Sequence, residues 1–135
     1  MVSDDPRTLR LVIDRASELA EKRGVGSVMV GLAAPEGDPL FPDFVAYCRS
    51  ALRIEDHIVS LTRERTLLHL ADVDASAASG IVERLRSEFE SEFPALLDAA
   101  IDVHFFELTP DEAPTSVRAV LTSVFAPATS DAPPG

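Results

Sequence analysis

The sequence predicts an α+β fold, a βαββαβ core with a further helix at each end. Three observations carry that expectation. Short β-branched runs alternate with stretches of helical period, a tight polar turn joins two of those runs directly, and helical segments separate the others. Together these give the split βαβ, or ferredoxin-like, order and a mainly antiparallel sheet.

The first helix follows from Asp5-Pro6, an N-cap with proline at the first helical position, and from Leu9, Val12, Ile13, Ala16, Leu19 and Ala20 at helical spacing. It should stop near Gly24. Ser27 to Ala33 reads as a short buried strand, and Pro35-Glu-Gly-Asp-Pro39 is turn chemistry. A helix over Pro42 to Leu52 turns Phe44, Val45, Cys48 and Leu52 inward. His57 to Leu61 and Thr66 to Ala71 make two strands of a hairpin closed by four polar residues, Thr62 to Arg65. Asp74 caps a long helix with Ala78, Ile81, Val82, Leu85 and Phe89 on one face, ending before Pro94. Ala100 to Leu108 is the fourth strand, with Ile101, Val103 and Phe105 alternating against Asp102 and His104 and with Phe106 under a helix. A last amphipathic helix after Pro114 carries Val117, Val120, Leu121 and Val124. Residues 1–125 thus form one domain, and the Pro-, Ser- and Ala-rich tail 126–135 is expected to be disordered.

The size fits this plan, because 135 residues suffice for one packed core and not for two. No apolar run is long enough to span a bilayer, and Met1 to Pro6 lacks the basic and apolar blocks of a signal peptide. The expectation is a cytoplasmic protein without a membrane partner. A net charge of −11 opposes binding to nucleic acid, since phosphate polymers recruit proteins through Lys and Arg. Yet Arg49, Arg53, Arg63, Arg65, Arg84 and Arg86 all lie in the central segment, six of the twelve basic residues, so a local anion site is compatible with an acidic whole. Each is an arginine, whose planar fork suits phosphate or a guanine edge. One cysteine, Cys48, and three scattered histidines (His57, His69 and His104) offer no set of soft metal ligands. Cys48 reads as a small buried hydrophobe, and His69 as a packed or surface histidine and not a catalytic base. No nucleophile elbow or Gly-rich phosphate loop is present, and Glu83, Glu88, Glu90 and Glu92 read as a solvated helix face.

Laid without gaps from Gly37 through Arg86, the chain resembles the GGDEF family of diguanylate cyclases. Ile58 to Leu70 falls on that family's strand, signature turn and return strand, with the degenerate turn Thr62, Arg63, Glu64, Arg65 and Thr66 at the signature. Gly37-Asp38 matches the Gly-Asp before the second helix, and Arg53-Ile-Glu-Asp56 the RxxD inhibitory motif. Arg84, in Val82-Glu-Arg-Leu-Arg86, matches the helix position whose Arg completes that inhibitory site. The resemblance covers roughly residues 5–125 and implies the nucleotide-cyclase palm, the same element order with helices at both ends.

What the resemblance implies about chemistry splits in two. A cyclase of this family holds two metal ions on carboxylates from the first strand and the signature turn. Here Gly31-Leu32-Ala33 stands where Asp-x-Asp is expected, the signature's two glycines are Thr62 and Arg63, and Glu64 is the one match to a metal ligand. Asp38 is the lone match to the family's guanine contacts. The resemblance therefore implies no catalytic residues, no metal and no enzyme. The inhibitory site needs neither metal nor glycines; in the family it binds cyclic di-GMP as a stacked pair, with Arg reaching guanine edges or phosphates and Asp accepting from guanine. Arg53, Asp56 and Arg84 would supply those groups. The expectation is an inactive cyclic di-GMP receptor that signals to a protein partner or as a homodimer. The alternative is a nucleotide-independent protein-interaction or dimerisation module, with Arg53 and Asp56 a solvated helix end and Arg84 one more charge on an exposed face.

Overall fold

A computed structural model describes residues 6–92 and 101–125. In chain order it contains α1 (Pro6–Arg23), β1 (Ser27–Ala33), α2 (Phe41–Ala51), β2 (His57–Thr62), β3 (Arg65–Ala71), α3 (Ala75–Glu92), β4 (Asp102–Leu108), a 3-10 turn (Pro110–Glu112) and α4 (Val117–Val124). The sheet order is β2-β3-β1-β4, with every neighbouring pair antiparallel. β1 and β2 thus run parallel with β3 between them, which makes this the ferredoxin-like, palm-type α+β fold.

Strand alternation divides the core in two, because successive side chains leave a strand on opposite faces. Val28, Val30 and Leu32 of β1 and Leu68 and Leu70 of β3 pack with Phe41, Phe44 and Cys48 of α2 and Val82, Leu85 and Phe89 of α3. On the other face Met29, Val59 and Leu67 meet Leu9, Ile13 and Ala16 of α1 and Val120 and Val124 of α4. Cys48 is fully buried, and burial pushes its thiol up to about 12, so it is an inert core residue. β1 has helices on both faces and strands on both edges. Its glycine has a use there: a Cβ on Gly31 would lie 2.6 Å from Val124 Cβ and 2.8 Å from the Val124 carbonyl oxygen, so α4 lies against bare backbone.

Asp74 caps α3 as its sequence suggests, its Oδ1 accepting from the Ala77 N–H at 2.8 Å. Three expectations need correction. The hairpin turn is Arg63-Glu64 alone and not four residues, because Thr62 pairs with Arg65 after an irregularity between Ser60 and Thr62. β4 begins at Asp102, with Ile101 buried just before it. Phe105 is 36% exposed and not core, since β4 is a sheet edge where Val103 is only half-buried too. Phe106 packs partly against the α1 and α4 side. The cap at Asp5, the position Ala100 and the tail 126–135 lie outside the described residues. No helix among the described residues is long and apolar enough to cross a membrane.

Candidate functional site

The turn between α2 and β2 is built around one carboxylate. α2 closes at Leu52, whose N–H donates to the Cys48 carbonyl, and the Asp56 N–H then donates to the Arg53 carbonyl at 3.0 Å, a tight four-residue turn. That turn aims the Asp56 side chain inward, where it is 2% exposed. Its Oδ1 accepts from the Ala71 N–H at 3.0 Å and from Arg53 Nη2 at 2.9 Å. Its Oδ2 accepts from the Arg53 backbone N–H at 3.2 Å and from Arg53 Nε at 2.9 Å. Arg53 Nη2 also donates to the Ala71 carbonyl at 2.7 Å. Both backbone groups of Ala71 on this side are therefore taken by side chains, two residues past His69, the last β3 residue paired with β2. The Arg-Asp pair continues the ladder where the strand has stopped.

Burial by itself would raise the Asp56 carboxyl, but the bonds from Arg53 and the Ala71 N–H outweigh it and hold the group below the ordinary carboxylate range. The bond to Asp56 likewise raises the Arg53 guanidinium above its usual value. The Arg53 side chain remains 44% exposed, with Nη1 turned to Glu55 at 3.3 Å. Ile54, at the crest of the turn, is 96% exposed.

Arg84 lies on the exposed side of α3, opposite the buried Val82 and Leu85. Among the described residues it makes no hydrogen bond or ion pair with Arg53 or Asp56. The structure thus bonds two of the three predicted ligand residues to each other, and the third makes no bond to either.

The hairpin tip docks onto the β1–α2 turn. The Ala34 N–H donates to the Glu64 carbonyl at 2.9 Å, and the Gly37 N–H to Glu64 Oε2 at 3.4 Å. Thr62 Oγ1 accepts from the Glu64 N–H at 3.3 Å. Arg63 is exposed, Thr66 is buried, and the Arg65 guanidinium lies 5.6 Å from the Phe125 ring centre, a cation–π distance. The Glu64 carboxylate therefore faces its own chain's backbone, and among the described residues no three metal-ligating side chains gather.

Two features carried little sequence signal. A hollow of about 190 Å³ lies between α2 and the hairpin, lined by Val45, Arg49, Ser60, Thr62, Arg63 and Thr66, with Arg49 Nη2 donating to Ser60 Oγ at 3.3 Å. It is smaller than the roughly 300–1,000 Å³ of sites that enclose a drug-sized ligand, and none of Arg53, Asp56 and Arg84 lines it. The second is His69, 3% exposed, with its ring stacked on that of His57 at 5.8 Å and neither ring nitrogen bonded. Only pairing register brings these two histidines together.

No protein-family model and no curated protein matches the sequence. Solved structures do. PelD (158-CT) from Pseudomonas aeruginosa PAO1 superposes with a TM-score of 0.70 at 16% identity, over 93% of this chain and 46% of that one. This chain therefore spans a little under half of that crystallised chain. The GGDEF domain of FimX from Pseudomonas aeruginosa gives 0.67 at 14% identity, over 93% and 90% of the two chains. The GGDEF domain of DgcB from Caulobacter crescentus, in complex with c-di-GMP, gives 0.67 at 16% identity over 97% and 94%. At these identities the likeness is one of fold: the chain has the fold of GGDEF domains.

Proposed function

We propose that this domain is a cyclic di-GMP receptor of the bacterial cytoplasm that makes none of the nucleotide itself and passes ligand occupancy to a protein partner. The observation that carries the reading is the Arg53–Asp56 pair at the end of the β2–β3 ladder, where a half-exposed arginine side chain is bonded along one edge of its guanidinium. An arginine fixed in this way loses less freedom on binding than one swinging from a surface, and its fork suits both phosphate and guanine. Arg53, Asp56 and Arg84 form the site in this proposal. The common fold with a GGDEF domain solved with c-di-GMP supports it.

Several features support the absence of cyclase chemistry. A two-metal cyclase needs carboxylates from the first strand, and Gly31 and Ala33 supply none. Val124 stands beside Gly31 where a side chain would have to go, Glu64 is engaged with the Gly37 N–H, and Thr62 and Arg63 replace the glycines of the turn.

A specific observation favours a second reading, a nucleotide-independent interaction or dimerisation module. The Arg53–Asp56 bonds already have a structural use, and Arg84 is not part of them. Calorimetry separates the two. Cyclic di-GMP should bind the wild type, and Arg53→Ala and Arg84→Ala should each weaken binding by about 1–3 kcal/mol, the scale of a hydrogen bond to a charged group. GTP with magnesium or manganese should yield no cyclic di-GMP. A wild type that shows neither heat nor thermal stabilisation at high ligand concentration leaves the interaction module standing.

A further inference from the structure

We infer that the outer edge of β4 is a docking site, which takes an extended, Lys- or Arg-bearing segment of another protein as an added antiparallel strand. This edge lies apart from the proposed nucleotide site: β4 and β2 are the opposite edges of the sheet, and the Arg53–Asp56 pair precedes β2. Among the described residues β4 pairs with β1 alone, in unbroken register from Ser27↔Leu108 to Ala33↔Asp102. In an antiparallel ladder alternate residues turn their N–H and C=O groups to the same neighbour, so every second residue of β4 offers both groups outward. Exposed edges are commonly blunted by a bulge, a proline or a lysine. β2 has an irregularity between Ser60 and Thr62, whereas β4, Asp102-Val-His-Phe-Phe-Glu-Leu108, has none of the three.

The side chains of β4 say which partner fits. Val103, Phe105 and Glu107 stand on the face shared with α2 and α3, Asp102 and Phe106 on the face of α1 and α4, by alternation and by the β1 residues opposite them. Phe105 is 36% exposed and Val103 and Phe106 are half-buried, which leaves apolar surface on both faces for an added strand to cover. Asp102 and Glu107 are exposed toward opposite ends of the strand. The matching segment is therefore apolar opposite Phe105 and basic opposite Glu107 and Asp102, because directly opposed unlike charges stabilise a strand pair and like charges oppose it. A second copy of this chain does not meet that pattern. Its β4 holds no Lys or Arg, two-fold pairing centred on Phe105 sets Glu107 opposite Val103 and Asp102 opposite Leu108, and each copy brings a net charge of −11.

The test uses the full chain without nucleotide and a capped peptide probe, Thr-Lys-Val-Ile-Thr-Val-Lys, whose antiparallel register sets its lysines opposite Glu107 and Asp102 and its isoleucine opposite Phe105. Amide hydrogen exchange should slow at alternate residues of β4 on binding and stay unchanged along β2. Two N-methylated versions, blocked at odd or at even positions, separate strand pairing from mere adhesion. One should bind within about twofold of the parent and the other at least about tenfold more weakly, since it loses several backbone hydrogen bonds. Glu107→Lys should weaken the parent probe about fivefold, and a probe with Glu in place of its first lysine should regain that factor. The methylated probes act on the wild type, so they decide the matter even where the variant fails to fold. Absence of protection at β4 with the probe at millimolar concentration, or equal binding of the two methylated probes, overturns the inference. A free chain that sediments as a dimer with its β4 amides already protected also overturns it, in favour of a second copy. The cyclic di-GMP titration stands apart from all of these outcomes.

Discussion

At the scale of the residue, the buried His69 sets how the fold answers to pH. Burial lowers its pKa to about 4, with the positive charge of a protonated His57 acting in the same direction and Asp56 opposing. The unfolded chain takes up a proton near the ordinary value of 6.5 that the folded chain refuses until about 4, so folding stability falls as the pH drops through that window. Asp56 does not blur the effect. Its lowered pKa stabilises the fold above the ordinary carboxylate range, and that contribution is lost only in stronger acid. Urea unfolding of the wild type should therefore lose about 2 kcal/mol between pH 7 and pH 5 on account of His69. In His69→Phe, which keeps the ring and removes the proton site, most of that dependence should vanish. A variant as acid-sensitive as its parent would show that the penalty lies elsewhere.

At the scale of the element, the contact between β1 and α4 is a tight constraint. The sheet is closed on this face by a short helix whose Val124 rests on the bare backbone of Gly31. Gly31→Ala adds only one methyl, but it must push α4 away, because contacts of 2.6 Å and 2.8 Å lie inside van der Waals distance. Overpacking of this kind costs about 1–3 kcal/mol, and a thermal melt would read it. Gly31→Asp, which restores an acidic residue on the first strand, should be at least as damaging and should restore no cyclase activity. A Gly31→Ala protein melting with the wild type would mean that α4 does not seat on β1 as described. The β2–β3 hairpin is tied at both ends, by Glu64 to the β1–α2 turn and by the Arg53–Asp56 pair at Ala71. A force applied at Arg53 therefore acts on a clamped element.

At the scale of the whole molecule, the receptor proposal requires an output. Arg53 stands before β2 and Arg84 on the exposed side of α3, with no hydrogen bond or ion pair between them among the described residues, so a ligand that engages both would tie the α2–β2 turn to α3. An intercalated pair of cyclic dinucleotides also presents a second face, to which another chain could add an arginine. Ligand should then favour a dimer or a partner complex, by the rule that a ligand stabilises the state it binds better. Light scattering through a ligand titration, with and without a candidate partner, reads this directly. Saturated binding with unchanged mass and unchanged partner affinity would sink the coupling and leave a receptor without output.

The sequence by itself determined the order of elements, the Asp74 cap and the division into helix and strand, because period, Pro-Gly punctuation and an Asp before a helical run are local properties of the chain. It also determined which residues depart from a cyclase: Gly31, Ala33, Thr62 and Arg63 are legible without coordinates. Tertiary structure alone decided what those residues do. Phe105 looks like core by alternation, yet it is partly exposed because β4 is an edge, and edges follow from strand order. His57 and His69 stack only because antiparallel register sets them opposite each other. Arg53-x-x-Asp56 reads as two outward charges, but the turn carries the carboxylate under the sheet end, where the backbone of Ala71 lacks a partner on the β2 side. Backbone groups left unpaired by one segment are satisfied by whichever side chain the fold brings to them, and a linear sequence does not show which groups those will be.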